Sequence, residues 1–189
     1  DAEVVLLVAN ENNTDVYLNG NASPDYTLNA GEYLALKGNS YTSKGNLYVR
    51  TSKNVFAYQT VGYLNNDPDR LYANQELFFV PPLSCETPHV IDNIPSIERI
   101  GSRIYEGRVT LVTQAGSSLT FEINGTSYTA VSLNALPGVT VTGPTAVTGN
   151  VNYTTYTITG LKGDVGVFSS GQLYLAAYGT DDAATFGGF

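Results

Sequence analysis

Cysteine and histidine are nearly missing from this chain. Cys85 and His89 are single copies, which excludes an internal disulfide and a cysteine-rich zinc site. Histidine-based metal centres and Ser-His-Asp machinery would have one imidazole to work with. Positive charge is scarce as well: Lys plus Arg number 9 against 17 Asp plus Glu, a net charge of -8. A chain with a pI near 4.4 lacks the basic footprint that phosphate backbones and anionic lipid require, which argues against nucleic acid and against a basic membrane patch. No apolar run approaches the roughly 20 residues of a helical membrane span, so direct membrane insertion is not expected. Tryptophan is absent, and with it the usual aromatic platform for sugars. Methionine is absent too, so the chain reads as a mature or excised piece, with any signal peptide or anchor out of view. Helical periodicity is the last absence, since no segment holds a 3.6-residue apolar spacing over three turns.

Alternation with a period of two recurs instead, and it predicts an all-β protein of sandwich or jelly-roll type. Val4 to Ala9 is a continuous apolar run short enough for a buried strand. Asp15 to Asn19 alternates and ends in Asn19-Gly20, a tight-turn signal. Glu32 to Lys37, Leu47 to Thr51 and Val55 to Gly62 alternate again. Leu77 to Val80 is apolar and stops at Pro81-Pro82. The second half repeats the pattern at Val109 to Thr113, Leu119 to Ile123, Tyr153 to Thr159, Val165 to Ser169 and Gln172 to Tyr178. The best helical candidate is Ile94 to Ile100, where three isoleucines recur every third residue.

An internal repeat organises these strands. At an offset of 105, Leu6 meets Leu111, Val16 meets Phe121, Leu18 meets Ile123, and Asn19-Gly20 meets Asn124-Gly125. Leu28-Asn29-Ala30 meets Leu133-Asn134-Ala135 without a gap. At an offset of 118, Gly45 meets Gly163, Val49 meets Val167, Ser52 meets Ser170, and Val55-Phe56 meets Leu173-Tyr174. The predicted organisation is two pseudo-repeated lobes, residues 1–62 and 108–189, joined by a central insert, 63–107, that packs on both.

These segments also carry a family resemblance. The blocks are Val4 to Asn10, Asp15 to Gly20, Ala30 to Tyr33, Thr51 to Val55 with Tyr58-Gln59, Phe79 to Cys85, Asp92 to Pro95, and Gln172 to Tyr174 through Phe189. Together they resemble the IgGFc-binding-protein N-terminal type of domain, in the version carried by very large cell-surface proteins of Bacteroidetes-type bacteria. The resemblance implies an extracellular adhesion or protein-binding module at the cell surface. It brings no catalytic residues, and immunoglobulin binding itself is not carried over with it.

Several polar clusters are candidate sites. Asn65-Asn66-Asp67-Pro68-Asp69-Arg70, flanked by Tyr63 and Tyr72, is the densest. Its oxygens suit calcium, which takes six to eight such ligands. Its Tyr, Asn, Asp and Arg suit contact with glycan or protein, and Asn-Asp-Pro is also ordinary turn chemistry. Ligand contact is therefore assigned to Tyr63, Asn65, Asn66, Asp67, Asp69, Arg70 and Tyr72. The metal candidates are Asp67, Asp69, Asp181 and Asp182, with calcium as the one cofactor considered. Cys85 and His89 on a Pro-bounded loop do not bring a thiol and an imidazole within hydrogen-bond reach by default. Cys85 reads as a buried structural thiol, with an intermolecular disulfide as the alternative. Carboxylates for glycoside cleavage could come from Asp67, Asp69, Glu76 and Glu86, but nothing selects a pair. Tyr48, Phe56, Tyr58 and Tyr174 fall opposite the aliphatic faces of their strands. They form either an exposed aromatic patch or a lobe junction, and the junction is the expectation.

The expected function is a non-catalytic adhesion or recognition module of a large bacterial surface protein. Its partners would be a protein or glycan on another surface and neighbouring domains of its parent chain. A calcium-dependent carbohydrate-binding module and a ligand-free spacer or fibre subunit are the alternatives. Thermal unfolding separates the first alternative from the rest. Calcium at a hundredfold excess over its Kd would stabilise the native state by about 2.7 kcal/mol. That would raise the midpoint by several degrees, at roughly 2–4 °C per kcal/mol, and chelator would reverse it. An unchanged midpoint removes calcium.

Overall fold

Short alternating strands bury one face each, and the fold follows from which face that is. The computed structural model describes residues 3–61, 76–84, 87–181 and 184–188. In chain order the first strands are β1 (Glu3–Ala9), β2 (Thr14–Leu18), β3 (Tyr26–Leu28), β4 (Tyr33–Leu36), β5 (Val49–Thr51), β6 (Val55–Val61) and β7 (Glu76–Phe79). They are followed by β8 (Val90–Ile94), β9 (Arg99–Ile100), β10 (Arg103–Ile104), β11 (Glu106–Gln114), β12 (Leu119–Ile123) and β13 (Thr126–Tyr128). A five-residue helix, α1 (Ala130–Asn134), precedes β14 (Thr140–Ala146), β15 (Tyr153–Leu161), β16 (Val165–Ser169), β17 (Leu173–Asp181) and β18 (Ala184–Gly188). The chain is all-β, as its alternation predicts, and its sheets pair antiparallel in sandwich-like fashion.

The chain divides into two units. Unit 1 comprises Asp1–Pro82 with Val147–Val151, and unit 2 comprises Leu83–Ala146 with Asn152–Phe189. Unit 1 holds a four-stranded sheet in the order β4-β1-β6-β7 and a three-stranded sheet in the order β3-β2-β5. Leu7, Ala9 and Leu36 from the first and Val16, Leu18 and Leu28 from the second share one core. Unit 2 holds β14-β15-β11-β17-β18 and β13-β12-β16-β8, with β9 and β10 forming a separate hairpin. Its core gathers Val109, Leu111, Ile158, Leu173 and Leu175 from one sheet and Phe121, Val165 and Val167 from the other. Of the stretch read as a central insert, β7 pairs with β6 in unit 1 and β8 pairs with β16 in unit 2.

The two units share a strand plan. β4-β1-β6-β7 corresponds to β15-β11-β17-β18, and β3-β2-β5 corresponds to β13-β12-β16. Unit 2 adds β14 and β8 at the edges. The pairings revise the offsets read from sequence. Ala9 lies opposite Val55, and Thr113 lies opposite Leu173, so Ala9 corresponds to Thr113 and Leu7 to Leu111. Leu6 is the wrong partner for Leu111, because a slip of one residue turns a side chain to the other face. Val16 with Phe121 holds, and both are buried. The Leu-Asn-Ala match is positional only: Leu28 ends a strand, whereas Leu133 sits in α1, though both are buried. Thr129 decides that difference by capping α1, its hydroxyl accepting from the Ser132 N–H in a reciprocal capping box.

The expected helix at Ile94–Ile100 does not form. Ile94 ends β8, Ile97 is buried in a turn, and Ile100 lies in β9. The cause is local: the residue before a proline is steered away from helical backbone, and Ser96 adopts a positive φ of 43°.

One clamp recurs in both units. Asn19 and Asn124 take φ of 52° and 50°, followed by Gly20 and Gly125 at 86° and 78°. Positive φ at both central residues is the hairpin geometry for which Asn-Gly is favoured. Each asparagine then reaches the strand that enters from further along the chain. Asn19 N–H donates to the Tyr48 carbonyl at 2.8 Å, and Asn124 N–H donates to that of Asp164 at 2.9 Å. In return the Tyr48 and Asp164 N–H groups donate to the asparagine Oδ1 atoms, at 3.1 and 2.9 Å. Ser52 and Ser170 close the other end of the same strand pairs. Their hydroxyls accept from the N–H groups of Asp15 and Ser118, and their own N–H groups donate back. Within unit 1 the Asn19-Gly20 turn is also backed by Gly149, whose Cα leaves no room for a β-carbon on Gly20.

Substitution at Asn124 separates the two roles of the clamp. Asn124→Gly keeps the backbone conformation and loses the side-chain bond, an expected cost of about 1 kcal/mol. Asn124→Ala also meets the positive-φ penalty of roughly 1–2 kcal/mol, for a total of about 2–3 kcal/mol. Urea unfolding of both variants measures the difference; equal costs would mean that backbone strain plays no part.

Candidate functional site: an apolar sheet face

The four-stranded sheet of unit 1 has a second face, turned away from its core. Its residues follow from the register. Val8 lies opposite Tyr33 on β4 and opposite Phe56 on β6. One pleat along, Leu6 lies opposite Ala35 and Tyr58, and Tyr58 lies opposite Phe79 on β7. At the end, Val4 lies opposite Thr60, and Thr60 opposite Leu77. This grid of ten side chains carries no charge, and its polar atoms are the hydroxyls of Thr60 and the two tyrosines. An antiparallel sheet with one solvated face normally turns polar residues outward. Here Tyr33 is 70% exposed, Phe56 51%, Leu77 49% and Phe79 48%, while Val4 at the end of the grid is buried. The rings of Tyr58 and Phe79 meet edge to face, 6.0 Å apart with 76° between their planes, a preferred aromatic geometry.

The corresponding face of unit 2 has a different chemistry. Thr155, Thr157 and Thr159 of β15 lie beside Val112, Thr110 and Arg108 of β11, which lie beside Tyr174, Ala176 and Tyr178 of β17. Tyr178 shares a 2.9 Å hydrogen bond with Thr110, and the Arg108 guanidinium stands over its ring at 5.4 Å. Tyr174, the counterpart of Phe56, is buried; its hydroxyl accepts from the Ser84 N–H at 2.6 Å and donates to the Ser84 carbonyl at 3.2 Å. The same position is therefore exposed phenylalanine in one unit and tyrosine covered by backbone in the other.

The aromatic side chains singled out in the sequence fall in both units. Phe56 and Tyr58 stand together on the unit 1 face, and Tyr174 belongs to unit 2. Tyr48 sits just before β5, where its backbone serves the Asn19 clamp. Tyr33, Leu77 and Phe79 were not singled out, although their alternation was readable. An apolar run such as Leu77 to Val80, with no polar side to it, was the available signal that both faces of that strand shun water.

The polar candidates stand as follows. Tyr63, Asn65, Asn66, Asp67, Asp69, Arg70, Tyr72, Cys85 and Asp182 lie outside the described residues. Asp181 ends β17, and its Oδ2 accepts from Arg103 Nε at 2.7 Å in a half-exposed ion pair. Among the described residues, no three His, Cys, Asp or Glu side chains are grouped to hold a metal. Burial raises the Tyr156 phenol above its ordinary pKa, so this hydroxyl stays protonated at neutral pH. No helix among the described residues is long and apolar enough to cross a membrane.

The chain belongs to the IgGFc binding protein family, whose model matches residues 1–179. No curated protein and no solved structure matches it.

Because Phe56 and Phe79 are about half exposed, removing either ring should leave the fold intact. Phe56→Ser and Phe79→Ser remove half-exposed rings, the second of them paired with Tyr58, and are each expected to cost about 1–2 kcal/mol. Phe121→Ser, in the core, should cost more than about 3 kcal/mol. Denaturant midpoints test this, and a large loss at Phe56 would show that the face is part of a core.

Proposed function

We propose that this protein is a non-catalytic recognition module of a large extracellular protein, an adhesin displayed on a bacterial cell surface. It contacts a protein partner through the apolar face of β4-β1-β6-β7. The observation that carries this reading is the uncharged grid around Phe56, Tyr58 and Phe79. Contiguous exposed apolar surface marks interaction sites on otherwise soluble domains, and aromatic residues dominate the buried centres of protein interfaces. Membership in a family named for binding supports the class. The choice of protein over glycan rests on two features. Aliphatic Leu6, Val8 and Leu77 interleave with the rings, which suits shape-matched apolar contact rather than a hydroxyl-rich ligand. In unit 2 the equivalent position already lies under polypeptide, with Ser84 on Tyr174.

The Bacteroidetes-type setting and attachment to neighbouring domains of a parent chain belong to the same reading. Capture from detergent-free extracts of native cell-surface protein tests it. The wild-type protein should retain a partner, and the Phe56→Ser/Phe79→Ser double variant should retain at least about tenfold less, since interface aromatics commonly carry 1–4 kcal/mol. Equal retention by both proteins would move the contact elsewhere. Binding to a glycan array that survives the double substitution would replace protein recognition altogether.

A further inference from the structure

Unit 2 has strands at two sheet edges that unit 1 leaves open. β14 lies beside β15, and β8 lies beside β16. The equivalent strands of unit 1, β4 and β5, end their sheets with no further strand paired to them among the described residues. β5 is guarded, since it is three residues long with Arg50 at its centre, and short, charged edge strands resist pairing. β4 has no such guard. Its sequence, Tyr-Leu-Ala-Leu, carries no charge and no proline, and its register with β1 runs without a bulge. β14, the outer strand of unit 2, has two protecting devices: Pro144 lies within it, and its register shifts between Thr142 and Thr145.

The backbone groups that β4 offers follow from its register. Ala9 N–H donates to the Glu32 carbonyl at 2.9 Å. Bonds toward β1 alternate from there through Leu34 and Leu36, so the N–H and C=O groups of Tyr33 and Ala35 point outward. Leu6 corresponds to Thr110, so Ala35 corresponds to Thr157; Val8 corresponds to Val112, so Tyr33 corresponds to Thr155. In unit 2 both positions are occupied: Thr157 lies opposite Thr142 of β14, and Thr155 lies opposite Thr145. Val141, opposite Ile158, packs against the unit 2 core.

We propose that the protein partner supplies the missing strand: an extended segment pairs antiparallel with β4, as β14 pairs with β15. This inference rests on the apolar face being a protein contact and names how that contact is made. Main-chain bonds to Tyr33 and Ala35 set the register of the added strand. Its side chains opposite those two residues extend the uncharged grid, and the side chain between them lies opposite half-buried Leu34 on the core side. The added strand is therefore apolar on both faces. A second copy is the competing occupant, because β4 can also face another β4. Charge disfavours it: two chains at -8 repel on close approach, and a partner of different charge escapes that repulsion.

The peptide 138–146, which contains β14, is the probe strand. Added to the isotope-labelled intact chain, it should shift the backbone amide resonances of Tyr33 and Ala35 saturably, with a Kd on the order of 1 mM. The same peptide N-methylated at Thr142, which lacks the N–H that faces Thr157 in unit 2, should bind at least about tenfold more weakly. Ala35→Pro removes an outward N–H and leaves the bonds to β1 in place, so it should weaken binding as much, with an unchanged circular dichroism spectrum. The methylated peptide gives its answer whether or not the proline variant folds. Absence of shifts at Tyr33 and Ala35, or equal binding of both peptides, would overturn the proposal. In the capture experiment, loss of the partner with Phe56→Ser/Phe79→Ser but not with Ala35→Pro would keep the face as the contact and overturn strand addition alone. A dimer in sedimentation velocity that Ala35→Pro dissolves would put a second copy in the partner's place.

Discussion

The fold depends on a turn asparagine that holds a distant strand. Asn19 and Asn124 each close a hairpin with positive φ and then bind both backbone groups of the residue leading into the next strand of the sheet. The hairpin is local, but the strand it grips is almost thirty residues away in unit 1 and forty in unit 2. A local conformational preference thus sets a long-range register. With β5 and β16 fixed, Val16 and Phe121 become core residues, and the opposite sheet closes over them. Ser52 and Ser170 secure the far end, so each strand pair is pinned at both ends without a disulfide.

Pinning the core faces leaves the outer faces free to differ. The inward sides of both sandwiches are aliphatic, with Leu7 and Leu111 at equivalent points and nearly inaccessible. The outward sides differ in kind: half-exposed rings and aliphatic groups in unit 1, threonines, Arg108 and the buried Tyr174 and Tyr178 in unit 2. The strand plan does not demand this difference, because it fixes only which side chains face the core between the sheets. In unit 2 the outer face has packing of its own, with Ser84 over Tyr174, whereas in unit 1 the equivalent Phe56 is half-exposed.

The strands, the Asn-Gly turns and the serine pair were legible in the sequence because each has a local signature. Alternation marks a strand, and positive φ selects Asn and Gly. The phase of β1 was not legible. Val4 to Ala9 is apolar throughout, so an offset of 104 or 105 fits equally well until the pairing with β6 and β17 fixes it. Leu-Asn-Ala misled for a related reason: three residues do not choose between strand and helix, and the capping pair Thr129 and Ser132 lies outside the tripeptide. The candidate face was half legible. Phe56 and Tyr58 alternate visibly on one strand, but Tyr33 and Phe79 join them only through long-range pairing of four strands. The polar loop at 65–70, densest in the sequence, falls outside the described residues.

The apolar face of unit 1 and its counterpart in unit 2 obey different physics. The first offers area without charge, so its contacts gain little from Coulomb attraction and respond weakly to salt. The second carries threonines and Arg108, and its rings are already buried, with the Tyr174 hydroxyl on Ser84 and the Tyr178 hydroxyl on Thr110. Polar groups committed within a unit have little left to offer a partner, whereas uncovered apolar area gains by leaving water. One strand plan thus carries a face satisfied within its own unit and a face whose stabilisation is still to be gained.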